Sequence, residues 1–184
     1  MEDQEVPLFD EFSKYYDLFV NWERRLASES PFLLGVLSRM RARRVLDAAC
    51  GTGMHAVALA REGYEVTCAE PSVGMLRRVA ENAVRAGVKV DGIRAGFGEL
   101  RQKASGSFDA VLCLGNSLPH ALSREELVAA LADFLAVLRP GGAAIIQNRN
   151  YDLVLKQRVR LMPLETGRTH DRELLFFRFI DFWG

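Results

Sequence analysis

Only three cysteines and three histidines occur in the 184 residues. The cysteines, Cys50, Cys68 and Cys113, have no Cys-x-x-Cys spacing, which argues against a disulfide framework, a structural zinc site or a redox pair. Cys68 and Cys113 lie inside apolar strand-like runs and Cys50 just after one, so buried, reduced thiols of a cytoplasmic protein are the simplest reading. Net charge is also missing: 24 Lys and Arg balance 24 Asp and Glu, and no global field attracts nucleic acid or anionic lipid. Long apolar runs are absent, and the acidic opening from Met1 to Pro7 does not look like a signal peptide, so neither a bilayer span nor secretion is expected. One local imbalance stands out, the arginines of "SRMRARR" between Ser38 and Arg44. A nucleic-acid patch is one reading, but a solvated helix end is the blander one, because cations suit a helix C-terminus.

What is present is apolar residue in quantity, 49% of the chain, enough for the core of one ordinary domain. Two helical patterns open it, about Leu8 to Ser28 and Pro31 to Met40, with Ser30-Pro31 as N-cap and first-turn pair. An alternation follows. "RRVLDAA", "YEVTCAE", "VKVDGIRA", "FDAVLCLG" and "GAAIIQNR" read as strands, the third the weakest. Between them lie a helix closed by Gly63, a second capped by Ser72 and closed by Gly87, and a long amphipathic one from Ser123 to Leu138. Such alternation predicts right-handed crossovers and a parallel sheet covered on both faces. After Arg149 the rhythm changes: "RVRLMPLE" and "RELLFFRFIDFWG", separated by a turn at "TGRTHD", predict an antiparallel hairpin. Its apolar residues, among them Phe176, Phe177, Phe179, Ile180, Phe182 and Trp183, need a partner, and self-pairing into a homodimer is the simplest source.

"VLDAACGTGMHAVALA" carries Gly51-x-Gly53-x-x-Ala56 at a strand-to-helix turn. Glycines there let a ligand approach the backbone, and the helix N-terminus lends partial positive charge. Dinucleotide enzymes use both features for a pyrophosphate. Asp47, four residues before Gly51, would repel a phosphate and favours instead a ligand with an ammonium and a sulfonium, as in S-adenosylmethionine. Glu70, at the end of the second strand, is placed to accept from ribose hydroxyls but does not discriminate, since NAD enzymes use an acid there too.

These residues resemble class I S-adenosylmethionine-dependent methyltransferases: "VLDAACGTG" is similar to their first motif, "AEPSVGML" to the second, and "LRPGG" to the turn before strand five. "FDAVLCLGNSLPH" and "QNRNYD" narrow the resemblance to the glycine/sarcosine N-methyltransferase-like branch. The resemblance implies an α/β fold, a Rossmann-like three-layer sandwich with a parallel five-stranded core sheet in the order 3-2-1-4-5, N-terminal helices and a C-terminal antiparallel hairpin. It divides the chain into a helical cofactor lid (1–42), a methyltransferase core (43–150) and a hairpin segment (151–184), shortened at the C-terminus relative to the family. The cofactor implied is S-adenosyl-L-methionine, with S-adenosyl-L-homocysteine as product, and the partner is a small-molecule methyl acceptor.

By the same resemblance Asp47, Ala49, Gly51 and Gly53 line the cofactor from the first motif, and Glu70, Pro71 and Met75 from the second. Gly96 and Phe97 lie against the adenine, Leu114 and His120 along the cofactor. "YYDLFVNWERR" is similar to the family's lid, with Tyr15 at an aromatic position and Arg25 on the methionine carboxylate. Gly115 and Asn116 face the acceptor, and Arg149 pairs with its carboxylate, so N-methylation of an amino acid or amine is expected. Another small carboxylic acid, a natural-product intermediate, or a non-catalytic binding protein are the alternatives.

Each of these residues also has a plainer reading. Asn116 would cap its turn, His120 a helix, and Tyr15 and Tyr16 would pack. Arg25 would pair with Glu29 at i,i+4. Arg149 would pair with Asp152. His55 reads as packed or solvent-facing, and His170 as solvated. The Asn/Asp-Pro-Pro-Tyr of enzymes acting on base amines is replaced here by Asn116-Ser117-Leu118-Pro119, and no acidic cluster for a catalytic metal appears.

Overall fold

The first strand, β1 (Arg44–Ala48), is buried from Val45 onward, and successive side chains of a strand point to opposite faces. Val45 joins one apolar cluster with Leu33, Leu37, Leu59 and Leu112, while Leu46 joins another with Phe108, Val111 and Phe134. In the computed structural model, which describes residues 7–182, this central strand therefore has helices on both sides. It is flanked by β2 (Glu65–Ala69) and β4 (Phe108–Cys113), with β3 (Asp91–Ile93) and β5 (Leu138–Ile146) at the edges. All four pairings are parallel and the order is β3-β2-β1-β4-β5, as the alternation and the motifs imply. The "LRPGG" segment falls inside β5, where the register jumps from Phe108↔Leu138 to Ala110↔Ala143 and residues 139–142 bulge from the ladder.

The crossover helices are α3 (Met54–Arg61), α4 (Val73–Ala86), a short α5 (Leu100–Lys103) and α6 (Arg124–Val137). Ser72 caps α4 by accepting from Met75 N, and Gly87 closes it at φ 68°. Ser123 and Glu126 form a capping box on α6. No helix among the described residues is long and apolar enough to cross a membrane.

Two expectations shift. The N-terminal helices are α1 (Pro7–Phe19) and α2 (Trp22–Arg39), so the break falls at residues 20–21, not before Pro31. The Asn21 side chain caps α2 at Arg24 N, and Pro31 sits inside that helix. Proline there forfeits one backbone bond. Burial of Leu33 and Leu37 beyond it keeps the helix continuous. The second shift concerns the C-terminal segment. It begins with α7 (Tyr151–Gln157), capped by Asn150, and its hairpin pairs β6 (Glu165–Arg168) with β7 (Glu173–Phe176). "RVRLMPLE" contributes only the bridge Leu161↔Phe179, and the turn moves to residues 169–172. Gly167 belongs to the strand because a Cβ there would lie 2.8 Å from Leu18 Cβ of α1. Close approach, not a turn, requires that glycine.

The hairpin rests on α1, with Phe176 5.9 Å from Phe12 and 5.4 Å from Phe19 between ring centres. Trp183 lies outside the described residues. Two carboxylates of α1 bind the core in turn. Asp10 accepts from Ser72 Oγ (2.6 Å) and Gly74 N (2.7 Å), and Asp17 from Thr52 Oγ1 (2.6 Å), Trp22 Nε1 (2.9 Å) and Asn82 Nδ2 (3.1 Å).

Gly53 caps α3 in the left-handed region at φ 74°, and a Cβ there would meet Val79 Cγ2 at 2.9 Å. Gly53→Ala is expected to destabilise the fold by about 1–3 kcal/mol, read as a lower urea midpoint at unchanged slope.

Candidate active site

A cavity of about 470 Å³ opens at the C-terminal ends of β1, β2 and β4, beneath α1 and the start of α2. That is where ligands of open parallel sheets bind. Asp47, Ala49 and Gly51 form its floor, with Glu70, Pro71 and Met75 on one side. Gly96 and Phe97 line it after β3, Leu114 and His120 after β4, and Arg25 from α2 forms the roof. Ala49 (φ 71°) and Gly51 (φ 57°) adopt left-handed backbone, which brings Ala49 N and Cys50 N onto Ala69 O at 2.8 and 3.2 Å. Gly53 is not a lining residue; it packs α3 against α4 through Val79.

Two carboxylates dominate the floor. Asp47 is 2% exposed, and its Oδ2 has no hydrogen-bond partner. Burial pushes its carboxyl up to about 6, against the pull of His55 and Arg25. Glu70 is held by Gly51 N on one oxygen (3.0 Å) and Ser72 N on the other (3.1 Å), leaving lone pairs free toward the cavity. Burial, opposed by those two bonds and reinforced by Asp47, raises it to about 7.

The roof is built on Glu29. Its Oε2 lies 2.6 Å from His55 Nε2, its Oε1 accepts from Gln147 Nε2 at 2.7 Å, and Arg25 Nε donates to it at 3.2 Å. Burial opposes ionisation, yet the bonds from His55 and Gln147 and the Arg25 charge bring Glu29 down to about 2. The i,i+4 pair of Arg25 with Glu29 is thus present, as one contact of a larger network.

At the far side Gly115 (φ 72°) and Asn116 (φ 68°) make a left-handed turn after β4. Asn116 Nδ2 donates to Tyr151 Oη (2.7 Å), and its Oδ1 accepts from Arg149 N (2.9 Å). The Arg149 guanidinium reaches Met162 Sδ at 3.3 Å and forms no ion pair with Asp152. Gly115 lines the cavity, whereas Asn116 and Arg149, expected at the acceptor end, are not lining residues.

Tyr15 is not a lining residue; Lys14 Nζ sits 4.9 Å over its ring. Tyr16 lines the cavity instead, with Phe9, Trp22 and a buried His55. The signal for Tyr16 was helical spacing, since Phe9, Phe12, Tyr16 and Phe19 share one face of α1. Trp22 and His55 carry no such signal: their rings meet edge-to-face at 5.4 Å across segments far apart in the chain.

Residues 45–142 match the family model described as methyltransferase domain. The chain belongs to this family. The chain is 38% identical over 146 residues to the glycine/sarcosine N-methyltransferase of Aphanothece halophytica, covering 79% of this chain and 55% of that enzyme. It is 35% identical over 159 residues to the glycine N-methyltransferase of Homo sapiens, covering 79% of this chain and 54% of that protein. The chain thus spans about half the length of these relatives. Among solved structures, the CcbJ methyltransferase of Streptomyces caelestis superposes with a TM-score of 0.73 at 24% identity, over 97% of this chain and 71% of that one. An S-adenosylmethionine-dependent methyltransferase of Clostridium acetobutylicum gives a TM-score of 0.72 at 16% identity, over 94% and 80%. At these identities the two superpositions speak for the fold.

Both floor carboxyls titrate above their ordinary values of 3.8 and 4.5. At these two groups the folded chain therefore holds more protons than the unfolded one between about pH 4 and 7, and their contribution to stability falls as pH rises through that window. Asp47→Asn is expected to be more stable than the wild type by about 3 kcal/mol at pH 8, with the difference vanishing near pH 4. Urea denaturation of both proteins across that range measures it.

Proposed function

We propose that this chain is an S-adenosylmethionine-dependent methyltransferase that N-methylates a small amino acid or amine in the cytoplasm. The observation that carries the reading is Asp47, a buried carboxylate whose Oδ2 has no partner, at the floor of a cavity of about 470 Å³. Such a group is costly unless a cation or donor meets it, and it disfavours a phosphate at the same turn. An ammonium beside a sulfonium suits it, and the free lone pairs of Glu70 suit a ribose diol. The names of the relatives, glycine and glycine/sarcosine N-methyltransferases, support an amino acid as acceptor. The free, buried cysteines suit a reducing compartment.

When bound, this cofactor supplies an electrophilic methyl group on sulfur; the protein contributes alignment and dryness. In this reading Arg25 takes the methionine carboxylate and Asp47 its ammonium side. Ala49, Gly51 and Gly53 shape the turn beneath them. Pro71, Met75, Gly96 and Phe97 enclose the adenine, and Leu114 and His120 run along the cofactor. Tyr16 takes the aromatic place that the resemblance gave to Tyr15, and with Trp22 it keeps water from the reacting atoms. Asn116, oriented by Tyr151, and Arg149 hold the acceptor. Arg149 is suited to a carboxylate because its guanidinium has only a weak thioether acceptor at hand. An amine that enters neutral needs no dedicated base.

The division into a lid (1–42), a core (43–150) and a hairpin segment (151–184) belongs to the same reading. So does self-association through the hairpin, whose outer residues Leu175, Phe177 and Phe179 are 67%, 63% and 64% exposed. A clean monomer in sedimentation at tens of micromolar would remove that last element.

Calorimetric titration tests the cofactor. S-adenosylmethionine or S-adenosylhomocysteine is expected to bind and NAD is not; tighter binding of NAD overturns the reading. Glu70→Ala should weaken adenosyl-ligand binding by about 1.5–3 kcal/mol, the range for a hydrogen bond to a charged group. Arg149→Lys tests the acceptor. It should raise KM for glycine or sarcosine while cofactor affinity stays nearly constant, because Lys lacks the paired donors. Turnover of an acceptor without an anionic group, unaffected by Arg149→Lys, would refute the carboxylate assignment.

A further inference from the structure

Gln147 joins the two ends of the cavity. It follows β5, and its backbone and side chain both hold the turn after β4. Gly115 N donates to Gln147 Oε1 (2.9 Å), Asn116 N donates to Gln147 O (3.1 Å), and Gln147 N donates back to Cys113 O (3.0 Å). The same side-chain amide donates to Glu29 Oε1 at 2.7 Å, and its carbonyl oxygen also lies 3.4 Å from Arg25 Nη2. Arg25 is fixed from below as well, with Cζ 5.2 Å from the centre of the Trp22 ring. Its guanidinium passes so close to the turn that a Cβ on Gly115 would stand 3.0 Å from Arg25 Nη2. Glu29 thus receives three donors, from His55, Gln147 and Arg25, on two oxygens. Its side chain is about 20% exposed and that of Arg25 about 19%, so the pair is not a solvated surface contact.

We propose that Glu29 and Gln147 are positioning residues that lock the Arg25 guanidinium and the Gly115–Asn116 turn into one register, so that the cofactor's carboxylate end and the acceptor end are set together. The proposal rests on the cofactor reading above and adds a coupling between its two halves. The chemistry requires a carboxylate at position 29. An amide has one acceptor oxygen and turns two N–H groups toward neighbours that are themselves donors. With that anion lost, Arg25 is no longer aimed along its Nε–H bond and swings on a flexible stem. Gln147 then loses the partner that orients its amide toward Gly115 N.

The test uses two adenosyl ligands that differ at the end Arg25 would read. S-adenosylhomocysteine carries the amino-acid carboxylate; 5′-methylthioadenosine lacks it. Glu29→Gln should weaken S-adenosylhomocysteine binding about tenfold, as expected for lost charge-assisted bonds, and leave 5′-methylthioadenosine binding unchanged. In an Arg25→Ala background the same substitution should have no further effect on S-adenosylhomocysteine. An equal loss for both ligands means that Glu29 only supports the fold, and overturns the proposal. So does an unchanged ratio in a wild type that binds both. A wild type that binds neither ligand removes the cofactor reading and this proposal with it. Should Glu29→Gln not fold, Gln147→Met reads the bridge from its other end. It is expected to lower S-adenosylhomocysteine affinity about threefold with 5′-methylthioadenosine unaffected, and equal losses again overturn the proposal.

Discussion

Asp47 stands on the middle strand of a five-stranded sheet, 2% exposed and with one carboxylate oxygen unpartnered. Removing a carboxylate from water without compensation is expensive, and the surroundings bear the marks of that cost. Its carboxyl is pushed up to about 6 and that of Glu70, the next acid along the strand ends, to about 7. The basic side chains that act on it, Arg25 and His55, are bonded to Glu29 and do not bond to Asp47. The floor of the cavity is therefore acidic while its roof is bonded within itself. A cationic ligand gains most in such a space. The left-handed turn at Ala49 and Gly51 brings the backbone close enough for such a ligand to be gripped from below.

The roof exists because the N-terminal helices are tied to the core by carboxylates rather than by apolar contact alone. Asp10 binds the start of α4, Asp17 the turn before α3 and the middle of α4, and Glu29 the start of α3 and the end of β5. Asp10 reaches the β2–α4 junction, and Asp17 and Glu29 both reach the β1–α3 junction. Gly74 shows how close this approach is: a Cβ there would lie 2.8 Å from Asp10 O. The hairpin then leans on the outer side of α1 through Phe12, Phe19 and Phe176, so it bears on the cavity through this helix. Arg178 stacks 4.4 Å above Phe19 and completes that contact.

Much of this was legible in the chain. Strands and crossover helices followed from apolar periodicity, and the caps at Ser72 and Gly87 from residue types whose effect is confined to one turn of backbone. The acid four residues before a glycine turn marked the floor of the cavity, because strand, turn and helix are consecutive there. The break between α1 and α2 was misplaced because Pro31 is a strong local signal. Burial of Leu33 and Leu37 overrode it. The helix α7 was hidden within a motif read for its ligand contacts, although Asn150 offered a cap.

Local pattern thus determined most of the elements and the chemical character of the floor, because each depends on neighbours within a few residues. Tertiary structure alone decided what faces that floor. Nothing near Tyr15 or Tyr16 in the chain says which ring turns inward; the direction of the α1 face against the core does. Glu29 and Gln147 meet across 118 positions, and His55 reaches the same carboxylate from the first turn of α3. Gly167, turn-like in the chain, became a strand residue because α1 passes directly over it. Contacts of that kind depend on how separate segments come together in space, and no spacing along a single sequence records them.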